Sequence, residues 1–299
     1  MTPTLFMLCR EGRRCLMRRI APNRTTIRQS LLAFIGLAGL LVQPFAAADL
    51  MLHPTRLVFE KNQRAAQLDL INNGQETATY RISLANRRMS ETGEFSGVDT
   101  PAPDEQFADG MLRYSPRQVT LAPGAAQTVR IMLRKPAGLA PGEYRSHLMF
   151  ERVAEARAQT SIEERGRDSG LEIKLTPLIG VSIPLIVRHG ETSAVATTSN
   201  VELRHPADGQ PAMVAFELRR SGNRSVYGDL AVTFAPGNGA EQRVASAGGV
   251  AVYTPNPLRR IKMQLQSGVA PAHGSLRVVY RERPEEGGKV LAEAVIHIP

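Results

Sequence analysis

The chain has 299 residues, 42% of them hydrophobic, and a formal net charge of +9, a length that suggests about two domains of 100 to 150 residues. Seven Arg and one Glu lie in the first 48 residues, so the rest of the chain keeps 30 basic and 27 acidic residues. This balance, about +3, excludes a strongly basic nucleic-acid binder, which would keep its positive excess when the first segment is removed.

That first segment has the pattern of a secretory signal peptide. A basic stretch from Arg18 to Arg28 precedes a short apolar run from Leu31 to Val42, and Ala46-Ala47-Ala48 follows. Because the apolar run is too short to span a bilayer comfortably, cleavage after Ala48 is favoured over a retained anchor. Residues 1–48 are therefore predicted to be the leader of an exported chain.

The leader also contains both cysteines, Cys9 and Cys15. The mature chain, which would begin at Asp49, has no cysteine and must be stabilised by hydrophobic cores rather than by disulfides. The basic stretch before Met17 makes the leader unusually long, so a translation start at Met17 rather than Met1 is left open.

The next segment, residues 50–189, consists of short apolar or alternating runs without a long stretch of helical periodicity. This pattern predicts an all-β domain whose seven strands suit a sandwich. Turns are expected at Asn72-Asn73-Gly74, Pro123-Gly124 and Pro141-Gly142, where Gly and Pro supply the dihedral angles of a chain reversal. The predicted strands are Leu50–Phe59, Ala66–Ile71, Ala78–Ala85, Val119–Leu121, Thr128–Arg134, Glu143–Arg152 and Leu171–Arg188.

Tyr144 follows the Pro141-Gly142 turn directly after Glu143. This position is typical of a tyrosine corner, in which the phenol hydroxyl ties a loop back to the sheet. An ordinary buried tyrosine is the alternative, and the sequence leaves both open.

Residues 190–299 have the same pattern of short apolar or alternating runs, which predicts a second sandwich. The boundary is expected at Arg188-His189-Gly190-Glu191, where an apolar strand ends in charge and glycine. The predicted domains are therefore residues 49–189 and 190–299. Strands are expected at Val201–Arg204, Met213–Arg219, Asp229–Phe234, Val250–Tyr253, Arg260–Leu265, Leu276–Arg281 and Val290–Ile298.

The segment 171–188 is the most distinctive part of the mature chain. Every odd position from Leu171 to Val187 except Pro177 is aliphatic, which predicts a strand with one apolar face and far more than the usual five or six residues. Because Pro177 and Pro184 cannot donate to a ladder, we expect an edge strand with an irregularity near Pro177 to Gly180. Such a strand either pairs with another chain or spans the protein's own cores.

Arg56 is a cation inside the apolar run Leu50–Phe59. Its guanidinium must reach solvent or an anion, and its planar fork suits a carboxylate. A structural arginine whose stem packs on apolar groups is the alternative interpretation.

Catalytic signatures are missing from the sequence. The six histidines have no metal-ligand spacing, and no nucleophile motif or phosphate-cradling glycine loop is found. We therefore predict a protein that is not an enzyme, with no metal, no cofactor and no small-molecule substrate.

An ordered set of motifs resembles the periplasmic chaperones of the chaperone-usher pathway, in a divergent branch. The set runs in the order found in that family: Thr55-Arg56-Leu57-Val58-Phe59, Asn72-Asn73, Tyr114-Ser115-Pro116, Leu121-Ala122-Pro123-Gly124, Gln127-Thr128-Val129-Arg130-Ile131 and Ile183-Pro184-Leu185-Ile186-Val187-Arg188. The likeness covers residues 50–190 and is only architectural beyond them.

The resemblance implies two immunoglobulin-like sandwiches in an L-shaped arrangement, located in the periplasm. Their cleft would bind pilus or fimbrial subunits and deliver them to an outer-membrane usher. By the same resemblance, the long strand would complete the subunit's fold through donor-strand complementation, with Arg56 anchoring the subunit's terminal carboxylate. The residues expected to fill the subunit's groove are Leu171, Ile173, Leu175 and Ile179.

The chain departs from the family at the second basic anchor. The lysine that the family carries late in the long strand falls on Pro184 here, and Lys174, Arg130 and Arg188 are the candidate substitutes. Self-association through the exposed strand is left open. The alternative function is that of an exported immunoglobulin-like structural or adhesin-type protein.

Overall fold

The computed structural model describes residues 50–153, 180–205, 210–237, 239–266 and 271–299. Residues 48–299 form one compact unit. Within the described ranges the regular structure is strand, apart from two single-turn 3-10 helices at Asp109–Met111 and Pro284–Glu286. The prediction of an all-β chain is confirmed, whereas the predicted signal peptide lies outside the described residues.

The first half of the described chain forms two packed sheets and a hairpin. One sheet has the strand order β1-β3-β9-β7, the other β2-β11-β10-β4-β8, and β5 pairs only with β6 among the described strands. The bounds are β1 Leu50–His53, β2 Leu57–Phe59, β3 Ala65–Asn72, β4 Ala78–Ala85, β5 Arg87–Met89, β6 Phe95–Gly97, β7 Leu112–Ser115, β8 Gln118–Leu121, β9 Ala126–Leu133, β10 Gly142–Arg152 and β11 Gly180–His189.

The core of this sandwich is formed by alternate residues of both sheets. Phe59, Leu70, Ile131, Leu148 and Phe150 are among its largest fully buried side chains. Burial of an aliphatic or aromatic side chain of this size contributes about 1.5 to 3 kcal/mol. The alternation read from the sequence is therefore the alternation between core and surface.

The predicted strand Leu50–Phe59 is wrong as a single element. Its first part, β1, pairs antiparallel with β3, and its second part, β2, pairs parallel with β11 in the opposite sheet. Pro54 lies at the break, where proline cannot donate to a sheet ladder. The chain thus changes sheets just before Arg56.

The predicted turn at Asn72 is confirmed. Asn72 also connects this turn to the Pro123-Gly124 turn through hydrogen bonds. The buried Asn72 Nδ2 donates to the carbonyls of Glu76 at 2.8 Å and Leu121 at 2.9 Å, while its Oδ1 accepts from the Gly74 N–H at 2.9 Å. The N–H of Gly124 donates to the Asn72 carbonyl at 2.8 Å. Gly124 has a φ of 71°, a left-handed conformation that glycine adopts without strain.

The tyrosine corner is also confirmed. The Tyr144 hydroxyl donates to the Ala140 carbonyl at 3.0 Å, so the phenol ties the Pro141-Gly142 turn to the start of β10.

The described part of the long predicted strand is β11. Its odd residues Ile183, Leu185 and Val187 are buried in the first core. Over 185–187 the strand lies between β10 and β2, so the predicted edge is wrong for these three residues. From Gly180 to Pro184 the strand pairs with β10 alone among the described residues, and this part is an edge.

The second half forms another sandwich, as predicted, from the sheets β12-β13-β16 and β15-β14-β17-β18. Its core contains Leu218, Leu230, Val232, Leu276 and Tyr280. The bounds are β12 Ala194–Arg204, β13 Met213–Gly222, β14 Val226–Pro236, β15 Gln242–Val252, β16 Leu258–Gln264, β17 Gly274–Arg281 and β18 Val290–Ile298.

A small apolar cluster joins the two sandwiches. Met89 and Ile186 of the first half pack with Ala251 and Tyr253 of the second. The β5–β6 hairpin adds hydrogen bonds, since Asn256 Nδ2 donates to the Met89 carbonyl at 2.7 Å. These contacts set the position of the cleft between the halves.

Candidate functional site

Arg56 lies between β1 and β2 and projects toward the second sandwich. Its side chain is only 8% exposed. The guanidinium lies over the Tyr227 ring, with 4.3 Å between Cζ and the ring centroid. Nη1 donates to Glu286 Oε1 at 2.9 Å. Of the two alternatives, solvent or an anion, Arg56 thus contacts an anion, the carboxylate of Glu286, which is 230 residues away in sequence.

The same guanidinium keeps unused donors. Nε and Nη2 are buried and have no hydrogen-bond partner among the described residues. These two nitrogens form one edge of the fork, which can bind a carboxylate through two parallel hydrogen bonds. A buried donor without a partner is costly, so this edge is suited to an anionic ligand.

Arg56 lines a cavity of about 440 Å³ between the sandwiches. The first sandwich contributes Val58, Glu60, Gln63 and Arg188 to its walls, and the second contributes Ala194, Arg224, Ser225, Val226, Tyr227, Glu282, Glu286 and Leu291. We call this cavity the cleft.

Arg188 is the second cation of the cleft, and it is already paired. Its Nε donates to Glu143 Oε2 at 3.1 Å, and its Nη1 forms an ion pair with Glu60. The Glu143 side chain is fully buried. Its Oε1 accepts from the Ser225 N–H at 3.2 Å and from the Ser225 hydroxyl. Glu143 therefore links the basic end of β11 to the second sandwich.

The three candidate second anchors lie in different places. Arg188 lines the cleft together with Arg56. Arg130 is exposed on β9, where it pairs with Gln67 of β3 in the sheet that does not contain β11, and it does not line the cleft. Lys174 lies outside the described residues, so only Arg188 is brought together with Arg56.

The predicted donor residues Leu171, Ile173, Leu175 and Ile179 also lie outside the described residues. Their role stays a prediction. The chain re-enters the described structure at Gly180, as the outermost paired residue of β11 opposite Glu151.

A second buried arginine lies behind the cleft. Arg145 is 4% exposed, and its Cζ lies 4.4 Å from the Tyr253 ring centroid. Burial lowers the pKa of Arg145, while burial raises the pKa of Tyr253 against the opposing effects of Arg56 and Arg145. The positive charges of Arg56 and Arg145 therefore both act on the buried Tyr253.

His147, two residues farther along β10, shares this environment. Its ring packs edge-on against Phe95, with 5.1 Å between centroids. Burial, together with the positive charges of Arg145 and Arg87, lowers the pKa of His147 to about 3. The imidazole is therefore neutral throughout the ordinary pH range.

Solved structures of pilus chaperones are similar to this chain. The YadV chaperone is 11% identical, with a TM-score of 0.44 over 84% of this chain and 100% of that one. The CsuC–CsuE chaperone-tip adhesion subunit complex of Acinetobacter baumannii gives 13% identity, a TM-score of 0.42, and coverage of 84% and 98%. The Salmonella enterica SafA pilin in complex with the SafB chaperone gives 14% identity, a TM-score of 0.40, and coverage of 84% of this chain and 97% of that one. No protein-family model and no curated protein sequence matches the chain.

The sequence did not predict the acidic and aromatic side chains that contact Arg56 in the cleft. Glu286 and Tyr227 carry no local signal, because only the packing of two sandwiches places them beside Arg56. The β10 residues were detectable, since Glu143, Arg145 and His147 occupy alternate positions of a strand whose other face carries Tyr144, Leu148 and Phe150. Such alternation of charge indicates a second covered face.

The described residues contain no group of three His, Cys, Asp or Glu side chains placed to hold a metal ion. None of their helices has the length and apolarity needed to cross a membrane.

Proposed function

We propose that this chain is a periplasmic chaperone that binds pilus subunits in its cleft, stabilises them by donor-strand complementation and delivers them to an outer-membrane usher. The observation that carries the proposal is the buried Arg56, which holds a carboxylate of its own chain and keeps a second edge of its fork free. A polypeptide ending in a free carboxylate is the ligand that this arrangement suits best.

The chemistry of the cleft supports an anionic chain end. Tyr227 covers one face of the Arg56 guanidinium, which orients the fork and shields it from water. In such a place a charge-assisted hydrogen bond is about twice as strong as a neutral one. Arg188 on the same wall adds positive potential, although Glu143 and Glu60 already neutralise much of its charge.

Glu286 holds the position that the ligand would take. It belongs to the exposed 3-10 helix Pro284–Glu286, and its side chain is 40% exposed. An incoming carboxylate would replace Glu286 on Nη1 and also use the free edge formed by Nε and Nη2. The exposed helix can move aside without disturbing either core.

The sequence that precedes β11 supplies the second part of the proposal. The apolar row of Ile183, Leu185 and Val187 continues in sequence through Leu171, Ile173, Leu175 and Ile179. Because β11 is unpaired on its outer side from Gly180 to Pro184 among the described residues, a subunit strand can add at this edge. Each side chain that then fills a groove would contribute about 1.5 to 3 kcal/mol before ordering costs.

The test is co-expression of the chain with candidate pilus subunits and recovery of their complex from the periplasm. Arg56→Ala should leave the melting temperature nearly unchanged and abolish recovery of the subunit. Arg130→Ala, an exposed arginine outside the cleft, is the matched control and should recover the subunit as the natural chain does. Undiminished recovery with Arg56→Ala would refute the anchoring role.

A further inference from the structure

A second cavity of about 350 Å³ lies beside the cleft, and Gln63 lines both. Its walls come from the turn after β2, the end of β9 and the end of β11. Five of the lining side chains are basic and none is acidic; they are Lys61, Arg64, Arg134, Lys135 and His189. We call it the basic pocket. A surface with a net charge near zero would ordinarily mix both signs over such an area.

The backbone of the basic pocket is fixed by hydrogen bonds from different elements. The Leu133 N–H donates to the Arg64 carbonyl at 2.8 Å, and the Gln63 N–H donates to the Glu60 carbonyl at 3.0 Å. The Lys135 Nζ donates to the Arg188 carbonyl at 2.9 Å. The cations are therefore gathered by the fold itself, without any bound partner.

Their charges are not compensated by the protein. In the described part of the chain, no carboxylate forms an ion pair with Lys61, Arg64, Arg134 or Lys135, and nearby Glu60 pairs with Arg188 instead. Burial lowers the pKa of Lys135, so its ammonium pays a desolvation cost that no neighbouring carboxylate offsets. In the cleft, by contrast, Arg56 and Arg188 each have an acidic partner.

We propose that the basic pocket is an anion-binding site for a phosphoryl group carrying two or more negative charges. A single carboxylate would neutralise only one of the pocket's four Lys and Arg charges, whereas a phosphoryl dianion offers three acceptor oxygens to lysine and arginine donors. The volume suits a small ligand, since such pockets measure about 300 to 1,000 Å³. This site is separate from the carboxylate position at Arg56 and does not rest on the proposed function.

Titration calorimetry of the purified chain with inorganic pyrophosphate tests the site. The double variant Lys61→Gln with Arg134→Gln should bind pyrophosphate at least about tenfold more weakly, a loss of roughly 1.4 kcal/mol or more. The matched control is Lys262→Gln with Arg243→Gln, which removes the same charge from exposed residues of the second sandwich. The control should change the affinity by less than about twofold, because distant exposed charges are screened.

Three outcomes would overturn the proposal. They are a natural chain that does not bind pyrophosphate at millimolar concentration, an equal loss in the pocket and control variants, and equal affinity for citrate, which carries carboxylates instead of phosphoryl groups. Should the double variant fail to fold, the single variant Lys61→Gln is tested in its place and should still weaken binding.

Two further experiments show which cavity binds the anion and whether it is a free phosphate or a lipid headgroup. Arg56→Ala should leave pyrophosphate binding unchanged, and a loss there would overturn the proposal by placing the anion in the cleft. Flotation with vesicles containing phosphatidic acid, compared with phosphatidylcholine vesicles, separates a lipid headgroup from a free phosphate. Binding that depends on Lys61 and Arg134 supports the site in either form.

Discussion

At the scale of single residues, Arg56 illustrates how far local reasoning reaches. A cation in an apolar run must reach solvent or an anion, and the guanidinium pairs with a carboxylate. That carboxylate belongs to Glu286, in the 3-10 helix Pro284–Glu286 of the second sandwich and 230 residues away in sequence. Chemistry of this kind can be predicted from sequence, whereas the partner requires the packing of both halves.

If Glu286 competes with a ligand carboxylate, removing its charge should favour the ligand. Glu286→Gln should tighten binding of a synthetic peptide of alternating Val and Thr with a free terminal carboxylate by about tenfold, roughly 1.4 kcal/mol. The terminal amide of the same peptide should bind no better than before. Fluorescence anisotropy with both peptides measures the difference.

Glu285→Gln is the matched control for this experiment. Glu285 lies in the same 3-10 helix, is 62% exposed and pairs with Arg283 rather than Arg56. Equal changes in the two variants would indicate a general effect of charge and would contradict competition at Arg56.

His147 makes a second residue-scale prediction, for stability against pH. Its pKa is about 3 in the folded chain, below the ordinary value of 6.5, so below pH 6.5 the unfolded chain binds a proton that the folded chain does not. Stability is then fully present above pH 6.5 and is lost as pH falls toward 3, by about 2 kcal/mol between pH 7.5 and pH 5. Urea unfolding at a series of pH values gives the slope.

The comparison that isolates this histidine uses two variants. His147→Gln should flatten the slope between pH 7.5 and pH 5, whatever its absolute stability. His297→Gln, at an exposed position of β18, should keep the slope of the natural chain. An unchanged slope in His147→Gln would assign the pH dependence to other groups.

At the scale of elements, most strands were predictable because their apolar residues alternate. β4 and β18 have the bounds that the pattern predicts. The β5–β6 hairpin was missed, since Arg87–Met89 and Phe95–Gly97 are short and partly polar. The change of sheets at Pro54 was missed because an apolar run does not specify which sheet it joins. The local sequence pattern thus predicts where strands lie better than it predicts which strands pair.

The long strand predicted over residues 171–188 divides into two parts with different expected behaviour. Ile183 is buried in the first core, so Ile183→Asp should prevent stable folding, because burying an unpaired charge costs several kcal/mol. Ile173→Asp should leave the melting temperature of the free chain nearly unchanged and block complex formation with a subunit. Thermal unfolding by circular dichroism and pull-down from the periplasm measure the two effects. A drop in melting temperature for Ile173→Asp as large as that for Ile183→Asp would make Ile173 a core residue and refute the donor role.

At the scale of the whole molecule, the sequence predicts two sandwiches but not their joint. The division near Gly190 stays a prediction, and residues 48–299 form one compact unit. Contacts across the joint come from Met89, Ile186 and Tyr253 and from the buried Glu143. Ile186 and Glu143 occupy the outer faces of β11 and β10, whose inner faces belong to the first core, and the alternating pattern of these strands alone assigns their outer faces to solvent.

Glu143 is the group on which the joint should depend most. Glu143→Ala would leave Arg188 paired only with Glu60 and leave the Ser225 N–H without its acceptor. Breaking a buried pair on one side costs about 3 to 5 kcal/mol, so the free energy of unfolding should fall by that amount. The control is Glu293→Ala, which removes an ion pair with Arg277 on the surface of the second sandwich and should cost less than about 1 kcal/mol. Because Glu143 joins the halves, its variant should also unfold in two calorimetric steps where the natural chain unfolds in one. A single transition with a loss no larger than that of Glu293→Ala would mean that the apolar cluster alone holds the sandwiches together.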